Sequence, residues 1–207
     1  MAREAPSHTE GHTAEAEGLA GTGAVTMQAE IAVLARRYGR PRAVAHTLPS
    51  LRFSPLNRRR DGEVAMAIRR RNGLYLLQTK GTYPESTFRL PTGGIMRGET
   101  IEHALLRETR EETSLDVEIS RFAAVLTYRA PNSRHAFASY LFILEEQGGE
   151  LHPMDESEGI TGWLEADLPT LSDAAERLRS CTGQWRPWGQ FRALVLDALR
   201  DALAHRN

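Results

Sequence analysis

The chain has 207 residues, 41% of them hydrophobic and 26% charged, with 26 Lys and Arg against 27 Asp and Glu for a formal net charge of -1. That balance suits one sizeable soluble domain with appendages and gives no electrostatic case for binding a nucleic-acid polymer or a membrane surface. No apolar run approaches the roughly 18 residues of a membrane span. The single cysteine, Cys181, excludes an internal disulfide and a thiolate metal cage, and fits a reducing cytoplasm.

Residues 1–25 carry Glu4, Glu10, Glu15 and Glu17 among Ala, Gly, Thr and Ser. That composition predicts a disordered tail rather than a signal or transit peptide. Met27, Ile31, Leu34 and Tyr38 then recur at helical spacing, and Gly39 with Pro41 stops the pattern, so a helix is expected over 27–38. Ala43 to Leu48 reads as a short strand. The cluster Arg58-Arg59-Arg60 before the turn Asp61-Gly62 is either a solvated loop or a patch that steers a polyphosphate. The expected organisation is a tail (1–25), an N-terminal helix with its connecting segment (26–62) and a main domain (63–207).

The main domain opens with an alternating strand, Glu63–Arg69, in which Val64, Met66 and Ile68 oppose Glu63, Ala65 and Ala67. Asn72-Gly73 is a hairpin signal, and Leu74–Thr79 is the return strand. A loop over 80–87 leads through Phe88-Arg89-Leu90 into the glycine turn Thr92-Gly93-Gly94. An amphipathic, highly charged helix follows, and then strands over 117–130 and 135–146, an acidic loop over 147–159 and a short strand at Ile160–Leu164. Two helices close the chain. The first covers about 169–180, with Ser172 as its expected cap. The second covers 189–204, where Phe191, Leu194, Val195, Ala198, Leu199, Ala202 and Leu203 form one apolar stripe. That stripe serves either core packing or a homodimer seam. The order of elements is that of an α+β fold, an α/β/α sandwich.

Chemistry concentrates between Leu90 and Leu115. Glu108, Glu111 and Glu112 stand at i, i+3 and i+4, which on a helix directs three carboxylates to one patch. Glu99 stands at the start of the same helix, behind glycines that let backbone carbonyls approach a ligand. Like charges at i,i+4 destabilise a helix, and a hard divalent cation that prefers oxygen ligands would offset the repulsion. Arg107 and Arg110 flank the cluster and can orient individual carboxylates. A charge run of this kind in isolation also reads as a solvated helix face laced with Arg–Glu pairs.

The stretch resembles the signature of the Nudix hydrolases, G-x5-E-x7-R-E-U-x-E-E-x-G-U with U a bulky apolar residue. Gly93, Glu99, Arg107-Glu108, Glu111-Glu112 and Leu115 match seven of its nine specified positions. Thr109 replaces the first apolar residue and Ser114 replaces the glycine near the helix end, where a left-handed cap is usual. The resemblance implies a Nudix-type sandwich with a mixed sheet, an extra N-terminal helix and C-terminal helices. It implies Mg²⁺- or Mn²⁺-dependent hydrolysis of a nucleoside diphosphate derivative, with ADP-ribose or another nucleotide sugar as the first candidate. A non-catalytic nucleotide sensor on the same fold is the alternative. By the same resemblance Glu108, Glu111 and Glu112 are metal ligands, Glu99 and the Gly93 carbonyl assist, and Arg107 orients a glutamate. The resemblance leaves the general base open between a glutamate of the box and Glu156 or Glu158 of the later acidic loop, which read equally as plain surface charge. Arg89, Arg129 and Arg134 are candidates for phosphate contact. Tyr83, Phe88, Tyr128 and Trp163 are candidates for stacking on a base.

Overall fold

A computed structural model describes residues 27–48, 62–132, 136–154 and 156–205. The expected tail, the Arg58–Arg60 cluster, Arg134 and Asp155 lie outside the described residues. The chain divides into two units at residue 33, and the larger is residues 34–207. Residues 27–38 are helical, as their spacing predicts, and form α1.

In the larger unit a mixed sheet is built from β1 (Arg42–Thr47), β2 (Gly62–Arg69), β3 (Tyr75–Lys80), β4 (Thr92–Gly94), β5 (Leu115–Arg129), β6 (Ala136–Gly149) and β7 (Ile160–Ala166). The spatial order is β1-β5-β6-β2-β3-β7, and β4 pairs with β2 beside that path. The β1–β5 and β2–β6 ladders are parallel, while the β5–β6, β3–β7 and β2–β4 ladders are antiparallel. The helices are α2 (Ile101–Thr113), α3 (Leu168–Arg179) and α4 (Arg186–Ala204).

β2 is buried on both faces, as a central strand between two helical layers should be. Ala65 and Ala67 point into the core shared with α3 and α4, together with Leu77, Leu141, Ile143, Leu171, Leu196 and Leu199. Successive strand residues face opposite sides, which turns Val64, Met66 and Ile68 to the side of the buried α2 residues Ile101, Ala104 and Leu105. Glu63, on the same face as Ala65 and Ala67, is 3% exposed. It is neutralised by Arg192 of α4 at 2.8 Å and accepts the Ser139 hydroxyl at 2.7 Å. The apolar stripe of α4 is used as core.

Two local expectations need correction. The hairpin turn at Asn72-Gly73 forms, with Gly73 at φ +88° and its N–H on the Arg70 carbonyl, but β2 and β3 keep only the Arg69–Tyr75 pair before they part. The segment 88–94 threads between them: Arg89 exchanges both backbone bonds with Gln78, Met66 N–H reaches the Pro91 carbonyl, and β4 pairs with β2 at Glu63–Ala65. That wedge carries the glycine turn to α2. The cap of α3 is Asp167, whose carboxylate accepts the Thr170 N–H at 2.9 Å. Ser172 lies inside the helix and bonds the Leu168 carbonyl.

Candidate active site

α2 is set by its ends. Thr100 caps the N-terminus by accepting the His103 N–H. At the other end Ser114 adopts the left-handed conformation, φ 56° and ψ 13°, and its N–H closes on the Arg110 carbonyl. The backbone therefore does require the glycine-type conformation at the position where the sequence has serine. Thr109, the other departure from the signature, is buried and returns its hydroxyl to the Leu105 carbonyl at 2.7 Å.

The three helix carboxylates divide by burial. Glu108 and Glu112 are buried at 8% and 1% exposure, whereas the Glu111 side chain lies at the rim, 45% exposed. Glu108 lies directly over Gly93, where a Cβ would stand 2.0 Å from the glutamate Cγ and Cδ. The absence of a side chain at Gly93 is what makes room for the carboxylate.

Arg107 is the hub of the outer group. Its Nε and Nη2 donate to the two oxygens of Glu99 at 2.7 and 2.9 Å, and Nη2 also reaches the Gly94 carbonyl at 3.1 Å. Its Nη1 lies 2.8 Å from Glu111 and 2.9 Å from Glu108. This guanidinium holds the Glu99 carboxyl down to about 2, against its partial burial, with help from the Met96 N–H and His103. Glu108 is pushed above the usual carboxylate range by burial, which outweighs Arg107, and the nearby charges of Glu112 and Glu111 push it further up.

A second cation serves the inner group. Lys80, at the end of β3, places Nζ 3.1 Å from Glu112 and 2.9 Å from Glu158. Gln78, two residues earlier on the same strand face, donates to the other Glu112 oxygen at 3.0 Å. Burial works against the Lys80 charge, but Glu112 and Glu158 outweigh it and hold the ammonium above its ordinary range.

Glu158 reaches the site because its loop is tied down on both sides. His152 and Met154 donate their N–H groups to the Thr113 and Glu111 carbonyls at the end of α2, and Gly159 accepts the Gly81 N–H. Residues 152–154 thus lie along the end of the carboxylate helix. Glu156 is exposed.

The remaining candidates part company. Arg89 is 4% exposed and donates to the Tyr83 hydroxyl, the Leu90 carbonyl and the Thr92 hydroxyl at 2.9, 2.7 and 3.0 Å, which sets it beside the glycine turn. Tyr128 is fully buried against His46, Phe137 and Phe191, so its ring has no face to offer a ligand. It belongs to the core rather than to a substrate surface. Arg129 ends β5, exposed, and its carbonyl takes the Leu48 N–H. Sequence reasoning missed Gln78, Lys80 and Thr92. Only the i,i+2 spacing of Gln78 and Lys80 on a strand leading to the glycine turn pointed to the first two.

Whether these residues suit a divalent ion is a question of donor chemistry. Among the described residues no three His, Cys, Asp or Glu side chains stand together as a ready cage; Arg107 meets Glu99, Glu108 and Glu111, and Lys80 meets Glu112 and Glu158. The donors themselves are carboxylates and backbone carbonyls, the set that Mg²⁺ and Mn²⁺ prefer. The Gly93 cradle brings a buried carboxylate against backbone. The residues fit such an ion.

A family model described as the NUDIX domain matches residues 59–188. Over 119 residues the chain is 29% identical to the ADP-ribose pyrophosphatase of Methanocaldococcus jannaschii, an alignment covering 58% of this chain and 70% of that protein. Over 117 residues it is 29% identical to the NAD-capped RNA hydrolase NudC of Chromobacterium violaceum, covering 55% of this chain but 43% of that protein. A solved NUDIX hydrolase from Nitrosomonas europaea superposes with a TM-score of 0.51 at 18% identity, over 72% of this chain and 91% of that one. At that identity the likeness is one of fold. No helix among the described residues is long and apolar enough to cross a membrane.

Proposed function

The chain belongs to the NUDIX family, and from that premise we propose that it is a pyrophosphohydrolase that cleaves the diphosphate linkage of a nucleoside diphosphate derivative. ADP-ribose is its first candidate substrate, in keeping with what the Methanocaldococcus relative is named for. The observation that carries the proposal is the packing of α2 on the glycine turn. Glu108 fills the space left by Gly93, Glu112 is buried beside it, and they are met by Arg107 of the same helix and by Lys80 of β3 respectively.

Nudix hydrolases generally use divalent metals; Mg²⁺ or Mn²⁺ held here would supply charge neutralisation and Lewis acidity at phosphorus. Glu108, Glu111, Glu112 and the Gly93 carbonyl are the proposed ligands, with Glu99 assisting. Arg107 fixes the directions of Glu99, Glu108 and Glu111 through charge-assisted bonds. Glu158, tied by Lys80 beside Glu112, is the proposed base that takes the proton of the attacking water. Water adds to one phosphorus, the bridging P–O bond breaks, and ADP-ribose yields AMP and ribose 5-phosphate. Arg89 brings its charge to the diphosphate from beside Thr92.

The test is release of AMP from ADP-ribose by the purified chain with Mg²⁺ or Mn²⁺. Changing Glu112→Gln should lower the rate at least about 1,000-fold while the protein stays folded. No AMP with either metal, or a wild-type rate in E112Q, removes the reading.

A further inference from the structure

We propose that Tyr83 and Trp185, backed by Trp188, form the surface on which the substrate's nucleobase stacks. This rests on the hydrolase reading above and adds a base-recognition subsite to it.

The three rings come from segments about a hundred residues apart. Tyr83 lies in the loop between β3 and β4, Trp185 in the single turn Gly183–Trp185, and Trp188 in the first turn of α4. The Tyr83 centroid lies 4.7 Å from Trp188 and 6.4 Å from Trp185, and the two indoles are 5.3 Å apart at 78°. All three remain partly exposed. Trp188 packs against the hydrophobic core and anchors the cluster; Tyr83, with Arg89 over its ring, and Trp185 keep part of their surface exposed. Flat aromatic faces that are held by packing and open on one side are what a base stacks on.

The second observation is Arg89. It is 4% exposed, its Nε donates to the Tyr83 hydroxyl, and its guanidinium stands over the Tyr83 ring, 5.4 Å from the centroid. Its bonds go to a phenol, a carbonyl and a hydroxyl, and among the described residues it has no ion-pair partner. Glu112 and Glu63 act on it only through space. Burial works against its charge, but Tyr83, Glu112 and Glu63 outweigh it, so a guanidinium with no contact anion of its own stands ready for a diphosphate beside the glycine turn. One end of Arg89 is therefore at Thr92, next to Gly93, and the other is at the aromatic surface. Tyr83 is also joined to the catalytic side through its N–H on the carbonyl of Lys80, whose ammonium sits on Glu112 and Glu158. A phosphate drawn to Arg89 brings the attached nucleoside to Tyr83 and Trp185.

A purely structural ring cluster would affect stability without regard to the substrate's base. The deciding experiment compares ADP-ribose with a base-free diphosphate diester of ribose phosphate, using the full chain and its Trp185→Leu and Trp185→Phe variants. For ADP-ribose, Trp185→Leu should raise KM about 5- to 100-fold with little change in kcat. The base-free compound should show no such rise, and Trp185→Phe should recover most of the loss. AMP should quench the tryptophan emission of the unaltered chain and protect it from acrylamide, an effect that Trp185→Leu abolishes. An equal KM effect on both compounds, or none on either, overturns the assignment, as does failure of AMP to alter the emission. The AMP titration stands if Trp185→Leu does not fold. It also separates the two readings: AMP binding at Trp185 without turnover keeps the base subsite and removes the hydrolase, whereas turnover indifferent to Trp185 does the reverse.

Discussion

Replacing Gly93 by alanine should disable the site through one methyl group. The added Cβ would meet Glu108 Cγ and Cδ at 2.0 Å and Oε2 at 2.3 Å, far inside contact distance. β4 has little freedom to withdraw, because Gly93 is paired with Val64 in the middle of the β2–β4 ladder. The movement falls on Glu108, which must swing off Gly93 and leave its 2.9 Å contact with Arg107. Overpacking of this kind costs about 1–3 kcal/mol, and at roughly 2–4 °C per kcal/mol for a domain of this size the melting midpoint should fall by roughly 2–12 °C. The effect on rate should be larger, since an ångström of misplacement at a reacting centre can cost about 100-fold. Thermal unfolding in a chelating buffer and AMP release from ADP-ribose with Mg²⁺ measure the two. A variant with an unchanged midpoint and rate would show that Glu108 does not occupy the space over Gly93, and would refute the carboxylate cradle.

Lys80→Met removes the ammonium shared by Glu112 and Glu158 and leaves Glu112 buried with the Gln78 amide. Breaking a buried pair from one side costs on the order of 3 kcal/mol, so the midpoint in chelator should fall by several degrees; Lys80→Met combined with Glu112→Gln should regain much of it, and strict additivity of the two losses would refute the coupling. Ser114→Gly should stabilise the protein by about 0.5–1 kcal/mol, because φ 56° strains a serine and not a glycine. The lost exposed contact to His152 at 3.1 Å is a small offset, and calorimetry showing a lower midpoint would mean that the cap is not strained.

Much of this architecture could be read from local pattern. The helix at 101–113, its left-handed end and the strands on either side follow from spacing and turn chemistry carried within each segment. What could not be read is what depends on which segment lies beside which. The strand pattern sets Glu63 opposite Val64 without showing its partner, and a helix that begins 123 residues later brings Arg192 to neutralise it. Tyr128 looked like a stacking ring because nothing in its neighbours along the chain shows that Phe191 closes over it. The cap of α3 was misplaced because Ser172 and Asp167 both suit the role, and the helix starts before Pro169, which needs no N–H partner in the first turn.

The same distinction separates the reaction from the substrate. The proposed metal-binding carboxylates lie on one continuous helix and one turn, so their register survives in the bare sequence. Base recognition, as proposed, depends on Tyr83 and Arg89 meeting Trp185 and Trp188. In the sequence those residues belong to a loop, a connecting segment and the start of a helix, with no spacing to link them. They meet because residues 88–94 thread between β2 and β3 and because α4 packs on the sheet from the other end of the chain. A chain could keep every carboxylate of the helix and still lose its hold on the base by changing Trp185 alone. Substrate range is therefore expected to vary with the loop 81–87 and the turn 183–185 rather than with the helix that carries the chemistry.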